Sequence, residues 1–160
     1  MKQLVDAIMG RRVTLGRVVT LRLSARSEIK VVEQIVRETV HFLEGQAHPP
    51  EDWILRFSLC LRETVYNAVV HGNVGVPNAM VDVAVDYHPD AGRVVIAVHD
   101  GGHGFDWRAA LATQQSLGAA RPRGRGLVIL AEMTDAVEVA AGEVRFTLSV
   151  PPAALPAAGA

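Results

Sequence analysis

Two polar residues stand one helical turn apart in residues 62–73, which read RETVYNAVVHGN. A spacing of four places the side chains of Glu63 and Asn67 about 40° apart on one face of a helix. The other residues on that face are mostly apolar: Leu59, Cys60, Tyr66 and Val70. This stretch alone leaves two interpretations open, a solvated helix surface and a polar site set among apolar residues.

The segment VHDGGHGFD, residues 98–106, offers both a carboxylate and accessible backbone. Asp100 ends an apolar strand pattern, and its carboxylate can accept a hydrogen bond from an exocyclic amine. Gly102 and Gly104 allow positive φ angles and let a ligand approach main-chain N–H groups closely. On its own, however, this segment favours an ordinary Asp-Gly turn at the end of a strand.

The segment RPRGRGLVIL, residues 121–130, has the composition of an anion site. Gly124 and Gly126 precede an apolar helix whose first N–H groups have no intrahelical partner, and such groups bind phosphate. Three arginines add positive charge there: Arg121, Arg123 and Arg125. Taken alone, the segment favours a solvated loop that carries arginines.

Hydrophobic periodicity predicts the elements that must position these residues. Alternating or β-branched apolar runs predict strands at 18–25, 79–88, 92–100, 136–140 and 143–150. Helical spacing predicts helices at 27–44 with Ser27 as N-cap, at 51–71 and at 127–135. The glycine-rich stretch between them, 101–126, shows no clear periodicity and predicts a long loop.

The order of these elements predicts an α+β fold with two layers. Helices and antiparallel strands occur in separate blocks, so the helices are expected on one face of a mixed, mostly antiparallel sheet of about five strands. The predicted domain covers 18–150, with an N-terminal lead at 1–17 and a low-complexity, disordered tail at 151–160.

The composition, net charge and cysteine count of the chain exclude several classes of protein and give no reason to expect certain partners. The chain has 160 residues, 49% apolar and 21% charged, which fits one globular domain. A net charge of -1 gives no reason to expect nucleic acid or an anionic membrane as a partner. Cys60 is the single cysteine, which excludes an internal disulfide, and no apolar run is long enough to span a bilayer. A cytoplasmic protein is expected.

The three segments together are more specific than any one of them. A helix with Glu63 and Asn67 is followed by a strand ending in DGGHG, a loop and a GRGL helix start. This order resembles the GHKL (histidine kinase-like) ATPase superfamily, which includes gyrase, histidine kinases and mismatch-repair ATPases. The motifs span 63–126 and the element order about 18–150, and the resemblance implies a Bergerat-type ATP-binding fold.

The resemblance also implies roles for individual residues. Glu63 would position or deprotonate the nucleophile, and Asn67 would coordinate Mg²⁺, a hard ion usually held by one or two protein oxygens plus phosphates and waters. Asp100 would bind the adenine amino group, in a pocket shaped by Gly102 and Gly104. The phosphates of ATP would lie against the GRGL segment, namely Arg123, Gly124, Arg125, Gly126 and Leu127. Residues 105–123 would form a lid.

Within the superfamily, the chain most resembles the anti-sigma-factor serine/threonine kinases. The length, the HGN ending at 71–73 and the apolar helix after GRGL carry this resemblance. It implies a homodimer that binds a sigma factor and phosphorylates Ser or Thr of an antagonist protein. Direct contact with nucleic acid or membrane is not expected.

Two alternatives remain open from the sequence. Gly142 and Glu143 stand where the family commonly has a Gly-Thr pair, which favours a non-catalytic module that uses nucleotide to control the binding of a partner. The other alternative is a detached histidine-kinase catalytic domain. Against it, residues 1–50 are too short for the usual phosphoacceptor hairpin, and His41 lacks the acid that normally follows a phosphoacceptor histidine.

Overall fold

One antiparallel sheet of six strands forms the first layer of the computed structural model, which describes residues 9–15, 17–117 and 125–152. The strands are β1 (Met9–Leu15), β2 (Val18–Arg26), β3 (Met80–His88), β4 (Arg93–His99), β5 (Ala136–Ala140) and β6 (Glu143–Ser149). Their order across the sheet is β1-β2-β3-β4-β6-β5, and each neighbouring pair is antiparallel.

Helices form the second layer on one face of this sheet. They are α1 (Val31–Ala47), α2 (Glu51–Asn67), α3 (Trp107–Ser116) and α4 (Gly126–Met133), and α2 continues into one π-helical turn, Ala68–Gly72. Alternate strand residues point into the core between the layers, as Val81, Val83 and Val85 of β3 do, all at most 1% exposed. Among the described residues, no helix is long and apolar enough to cross a membrane.

The predicted two-layer α+β fold is confirmed, and the predicted strands and helices are recovered with small shifts of their ends. Two details of the sheet were wrong. It has six strands instead of about five, and the described strands include no parallel pair. The extra strand, β1, lies inside the predicted lead. Residues 1–8 of the lead and 153–160 of the tail lie outside the described residues.

Strand β1 was not predicted because its sequence lacks the alternation of apolar and polar residues that marks a half-buried strand. Its positions opposite the buried Leu21 and Leu23 of β2 are Arg12 and Gly10. The guanidinium of Arg12 lies 5.3 Å from the centre of the Phe42 ring on α1, so a cation takes the place of an apolar side chain. A periodicity argument that counts apolar residues cannot detect such a strand.

Helix α3 lies inside the stretch that was predicted to be a loop. Asp106 caps it, because its side chain accepts a hydrogen bond from the backbone N–H of Ala109 at 3.1 Å. No residue of α3 is fully buried, and only Ala110 and Leu111 pack against the core from one side. A helix with so narrow an apolar stripe leaves little periodic signal in the sequence.

Asn73 joins four parts of the fold at the end of α2. Its side-chain amide donates to Ser27 Oγ at 2.8 Å and to the Met80 carbonyl at 3.0 Å, while Oδ1 accepts from the Gly101 N–H at 2.7 Å. The backbone N–H of Asn73 closes the π-helical turn on the Ala68 carbonyl at 2.9 Å. Ser27 therefore does not cap α1, which begins after Lys30.

Replacing Asn73 should destabilise the whole domain. Asn73 is 7% exposed, so Asn73→Ala leaves buried polar groups unpaired and should lower the free energy of unfolding by about 2–4 kcal/mol. Urea denaturation followed by circular dichroism measures this difference. Gln115→Ala, which removes an exposed amide on α3, is the matched control and should change stability little. Equal midpoints for the two variants would contradict the joining role of Asn73.

Helix α2 is the central packing element of the helical layer. Phe57, Cys60, Leu61 and Val65 are each 0% exposed, and Trp53 stacks on Phe57 with ring centres 5.2 Å apart. Burial raises the pKa of the Cys60 thiol to about 11, because the apolar surroundings disfavour the thiolate. The buried face of α2 therefore contains an unreactive thiol.

Cys60 should report on unfolding. Because its pKa rises from 9.0 to about 11, the reactive thiolate fraction at pH 8 falls about a hundredfold, and burial blocks access as well. Iodoacetamide should modify the native protein at least a hundred times more slowly than the urea-unfolded protein, as measured by mass spectrometry. Similar rates in the two states would show that the α2 core opens readily.

Candidate functional site

A cavity of about 390 Å³ opens where α2, α4, the end of β4 and the β5–β6 turn meet. This volume is within the range of small-molecule sites, roughly 300–1,000 Å³. Seven of the residues predicted from the sequence line it: Glu63, Asn67, Asp100, Gly102, Gly104, Gly126 and Leu127. Of the remaining predictions, Arg123 and Gly124 lie outside the described residues, and Arg125 is exposed and does not line the cavity.

Glu63 and Asn67 border the cavity from α2, where both are half-buried. The start of α4 packs against them so closely that a Cβ atom on Gly126 would lie 2.7 Å from Glu63 Oε2 and 3.2 Å from Asn67 Nδ2. Any residue larger than glycine at 126 would have to displace one of these side chains. The polar face of α2 is therefore part of a helix–helix contact and a cavity wall, and is not a fully solvated helix surface.

Asp100 lines the cavity directly after β4. Its backbone N–H donates to the Gly142 carbonyl at 2.8 Å, and its Oδ1 accepts from the Gly102 N–H at 2.7 Å. The carboxylate packs directly against the backbone of Gly72, where a Cβ atom would overlap it. Asp100 is thus fixed by three glycines, and the contacts of two of them, Gly72 and Gly142, with Asp100 were not predicted from the sequence.

Gly102 and Gly104 shape the loop that follows Asp100. A Cβ atom on Gly102 would lie 2.5 Å from the Gly72 carbonyl oxygen. Gly104 has a φ of 79°, and a Cβ atom there would lie 3.1 Å from the Ala140 carbonyl oxygen at the β5–β6 turn. The loop therefore runs between the end of α2 and the β5–β6 turn, with too little space for side chains.

The first turn of α4 forms the wall of the cavity next to Glu63. Gly126 and Leu127 are buried at the N-terminus of the helix, where backbone N–H groups lack intrahelical partners and the helix dipole favours an anion. The N–H of Leu127 donates to Oε1 of Gln114 on α3 at 3.1 Å. Two of the three described residues of the predicted phosphate-binding segment, Gly126 and Leu127, thus line the cavity, and Gln114 is an unpredicted neighbour of Leu127.

The cavity has an apolar floor and an aromatic rim that sequence reasoning did not identify. Val98, Leu130 and Val144 supply apolar surface. Tyr66 and Phe105 lie at the edge, 42% and 48% exposed. An apolar interior with a few polar groups is typical of sites for small molecules and cofactors.

An ion pair fixes α1 against α2 beside the site. The guanidinium of Arg62 donates to both carboxylate oxygens of Glu33, at 2.5 and 3.0 Å. These hydrogen bonds lower the pKa of Glu33 and raise the pKa of Arg62, since each charge stabilises the other. The charge of Arg62 is therefore directed to α1, although Arg62 adjoins Glu63 in the sequence.

Most of the chain matches a known protein family. Residues 24–150 match the model of the histidine kinase-like ATPase domain, which confirms the superfamily predicted from the motifs. A comparison with curated proteins found no match. The matched region includes every element from α1 to β6 and all the described residues that line the cavity. Because the match covers most of its length, the chain belongs to the histidine kinase-like ATPase domain family.

Proposed function

We propose that the protein is an ATP-dependent serine/threonine protein kinase of the anti-sigma-factor type. The observation that carries the proposal is that one cavity is lined by Asp100, by Glu63 and Asn67, and by the N-terminus of α4. This arrangement suits a nucleotide whose base lies near Asp100 and whose phosphates lie near Glu63. Family membership supports ATP as the ligand.

Asp100 is suited to recognise adenine. One of its oxygens is occupied by the Gly102 N–H, and the carboxylate retains acceptor capacity for the exocyclic amine of the base. The floor formed by Val98 and Val144 offers apolar surface to the ring. We assign the base end of the cavity to Asp100 for these reasons.

The phosphate end also fits Mg²⁺. This ion takes one or two protein oxygens and completes its octahedral shell with phosphates and waters, and the side chain of Asn67 can supply one oxygen. The described residues contain no group of three or more His, Cys, Asp or Glu that could hold a metal, so an ion here would depend on the nucleotide for most of its ligands. When bound, Mg²⁺ would neutralise charge on the phosphates.

Glu63 is the proposed general base. In the transfer step, the hydroxyl oxygen of the substrate Ser or Thr forms a bond to the γ-phosphorus, and the bond from that phosphorus to the bridging oxygen of ADP breaks. The hydroxyl proton passes to the carboxylate of Glu63. Glu63 borders the cavity next to the α4 N-terminus, and this position supports the proposed role as proton acceptor.

The partners follow from the sequence resemblance and remain part of the proposal. They are a sigma factor, held inactive by binding, and an antagonist protein, phosphorylated on Ser or Thr. A homodimer and a cytoplasmic location complete this assignment. No direct contact with nucleic acid or membrane belongs to it.

Asp100→Asn should weaken nucleotide binding. The amide keeps the size of the side chain but removes the charge and replaces one acceptor by a donor, so we expect the affinity for Mg·ATP to fall at least tenfold. Isothermal titration calorimetry measures this change. Asp82→Asn, on an exposed position of β3, is the control and should bind like the wild type. Unchanged affinity in Asp100→Asn would remove the base-binding assignment.

Glu63→Gln should separate binding from transfer. Mg·ATP should bind within a few-fold of wild type, while phosphorylation of the antagonist should fall about 10²–10⁴-fold, as loss of a general base predicts. Transfer of labelled γ-phosphate in single-turnover reactions gives the rate, and Glu132→Gln, at an exposed position of α4, is the control. An unaltered rate would show that Glu63 is not the base.

A non-catalytic module is the second candidate, and Glu143 is the observation that favours it. Glu143 lines the cavity where the family commonly has Thr, and its Oε1 accepts from Arg145 Nη2 at 3.0 Å. The same labelling experiment decides between the candidates. Label that stays on the nucleotide in the presence of the antagonist supports the module. Acid-stable label on the antagonist supports the kinase, whereas acid-labile label would indicate phosphohistidine.

A further inference from the structure

Gln114 makes a contact that differs from the other hydrogen bonds of α3. Asp106, Thr113 and Ser116 bond to backbone groups within the helix and its cap. The side chain of Gln114 instead reaches α4, where its Oε1 accepts from the Leu127 N–H at 3.1 Å. Gln114 also lines the cavity. It is half-buried, whereas its neighbour Gln115 is exposed.

The group that Gln114 binds is one that a phosphate would also use. Leu127 lies in the first turn of α4, where its N–H has no carbonyl one turn earlier in the helix. Such N–H groups bind anions because they are free donors at the positive end of the helix dipole. The neutral amide oxygen of Gln114 therefore occupies a donor beside Glu63 and Asn67.

We propose that Gln114 is a specificity-determining residue that competes with the phosphates of the nucleotide for the Leu127 N–H. The inference rests on the ATP-binding function proposed above. A nucleotide with a phosphate that reaches Leu127 displaces Gln114, whereas a nucleoside without phosphates leaves the contact between α3 and α4 intact. The first turn of α4 thereby responds to the phosphates of the ligand and not to its base.

Exchange of the Gln114 oxygen for a phosphate oxygen at the Leu127 N–H is favoured because the phosphate is negatively charged and the amide is neutral. Hydrogen bonds to an ionised acceptor are about twice as strong as those to a neutral one, so phosphate replaces the Gln114 amide. Because the hydrogen bond between Gln114 and the Leu127 N–H must first break, the free energy gained when phosphate binds is reduced by the strength of that bond. Release of the side chain is feasible because α3 has no buried residue that would hold Gln114 in place.

Four variants and two ligands test the proposal. Gln114→Ala removes the competitor, and the affinity for Mg·ATP should rise about two- to tenfold, the range given by the loss of one neutral hydrogen bond. Gln114→Glu puts an anionic acceptor at the same place, which should hold the N–H more strongly and repel phosphate, so the affinity should fall. Gln115→Ala and Gln115→Glu are the matched controls and should bind like the wild type.

Adenosine is the second ligand. Its affinity should be the same in wild type, Gln114→Ala and Gln114→Glu, because it has no phosphate to compete for Leu127. Calorimetry measures Mg·ATP, and titration followed by nuclear magnetic resonance measures adenosine. In the free protein, amide hydrogen exchange at Leu127 should be faster in Gln114→Ala than in Gln115→Ala, since the donor loses its acceptor.

The outcomes separate this inference from the proposed function. If wild type binds neither Mg·ATP nor adenosine, the proposed function is wrong and the competition fails with it. If wild type binds Mg·ATP and Gln114→Ala binds it equally well or more weakly, the competition is wrong while ATP binding stands. Weaker binding in that variant would show that Gln114 is a ligand of the nucleotide. If the Gln114 substitutions changed the affinities for adenosine and for Mg·ATP by the same factor, the inference would also be overturned.

Discussion

The site depends on the close approach of the start of α4 to the polar face of α2. A Cβ atom at position 126 would be 2.7 Å from Glu63 Oε2, so a larger residue there would have to displace the Glu63 carboxylate. This close approach brings the carboxylate of Glu63, the amide of Asn67 and the first turn of a helix to one wall of a cavity.

The part of the cavity wall around Asp100 is fixed by a second set of contacts, which also involves α2 and the turn that follows it. The π-helical turn Ala68–Gly72 follows directly after Asn67 and ends with the N–H of Asn73 on the Ala68 carbonyl. Such turns add a residue to the helical repeat and occur often at functional sites. Here the turn presents Gly72 to Asp100, and Asn73 to the Gly101 N–H. Helix α2 and the turn that follows it thus position both the wall with Glu63 and Asn67 and the region around Asp100.

Sequence reasoning succeeded where a single segment carried the signal. Strands β2, β3 and β4 have apolar residues that alternate or run continuously, because one face of each is buried. Glu63 and Asn67 were found from their spacing within one helix. Strand β1 was missed because Gly10 and Arg12 occupy its core-facing positions. Glycine and arginine at these positions do not produce the apolar–polar alternation that marks a strand, although Arg12 packs on an aromatic ring as an apolar residue would.

What the sequence could not predict were contacts between segments that are distant in the chain. Nothing in the residues next to Asn73 or Gln114 indicates their contacts, because their partners are Gly101 and Leu127, which are 28 and 13 positions away. The two contacts differ in burial. Asn73 is 7% exposed and bonds to three partners, so its removal leaves buried groups unpaired. Gln114 makes one such bond from a helix without buried residues, so its contact can exchange for a ligand while the fold remains intact.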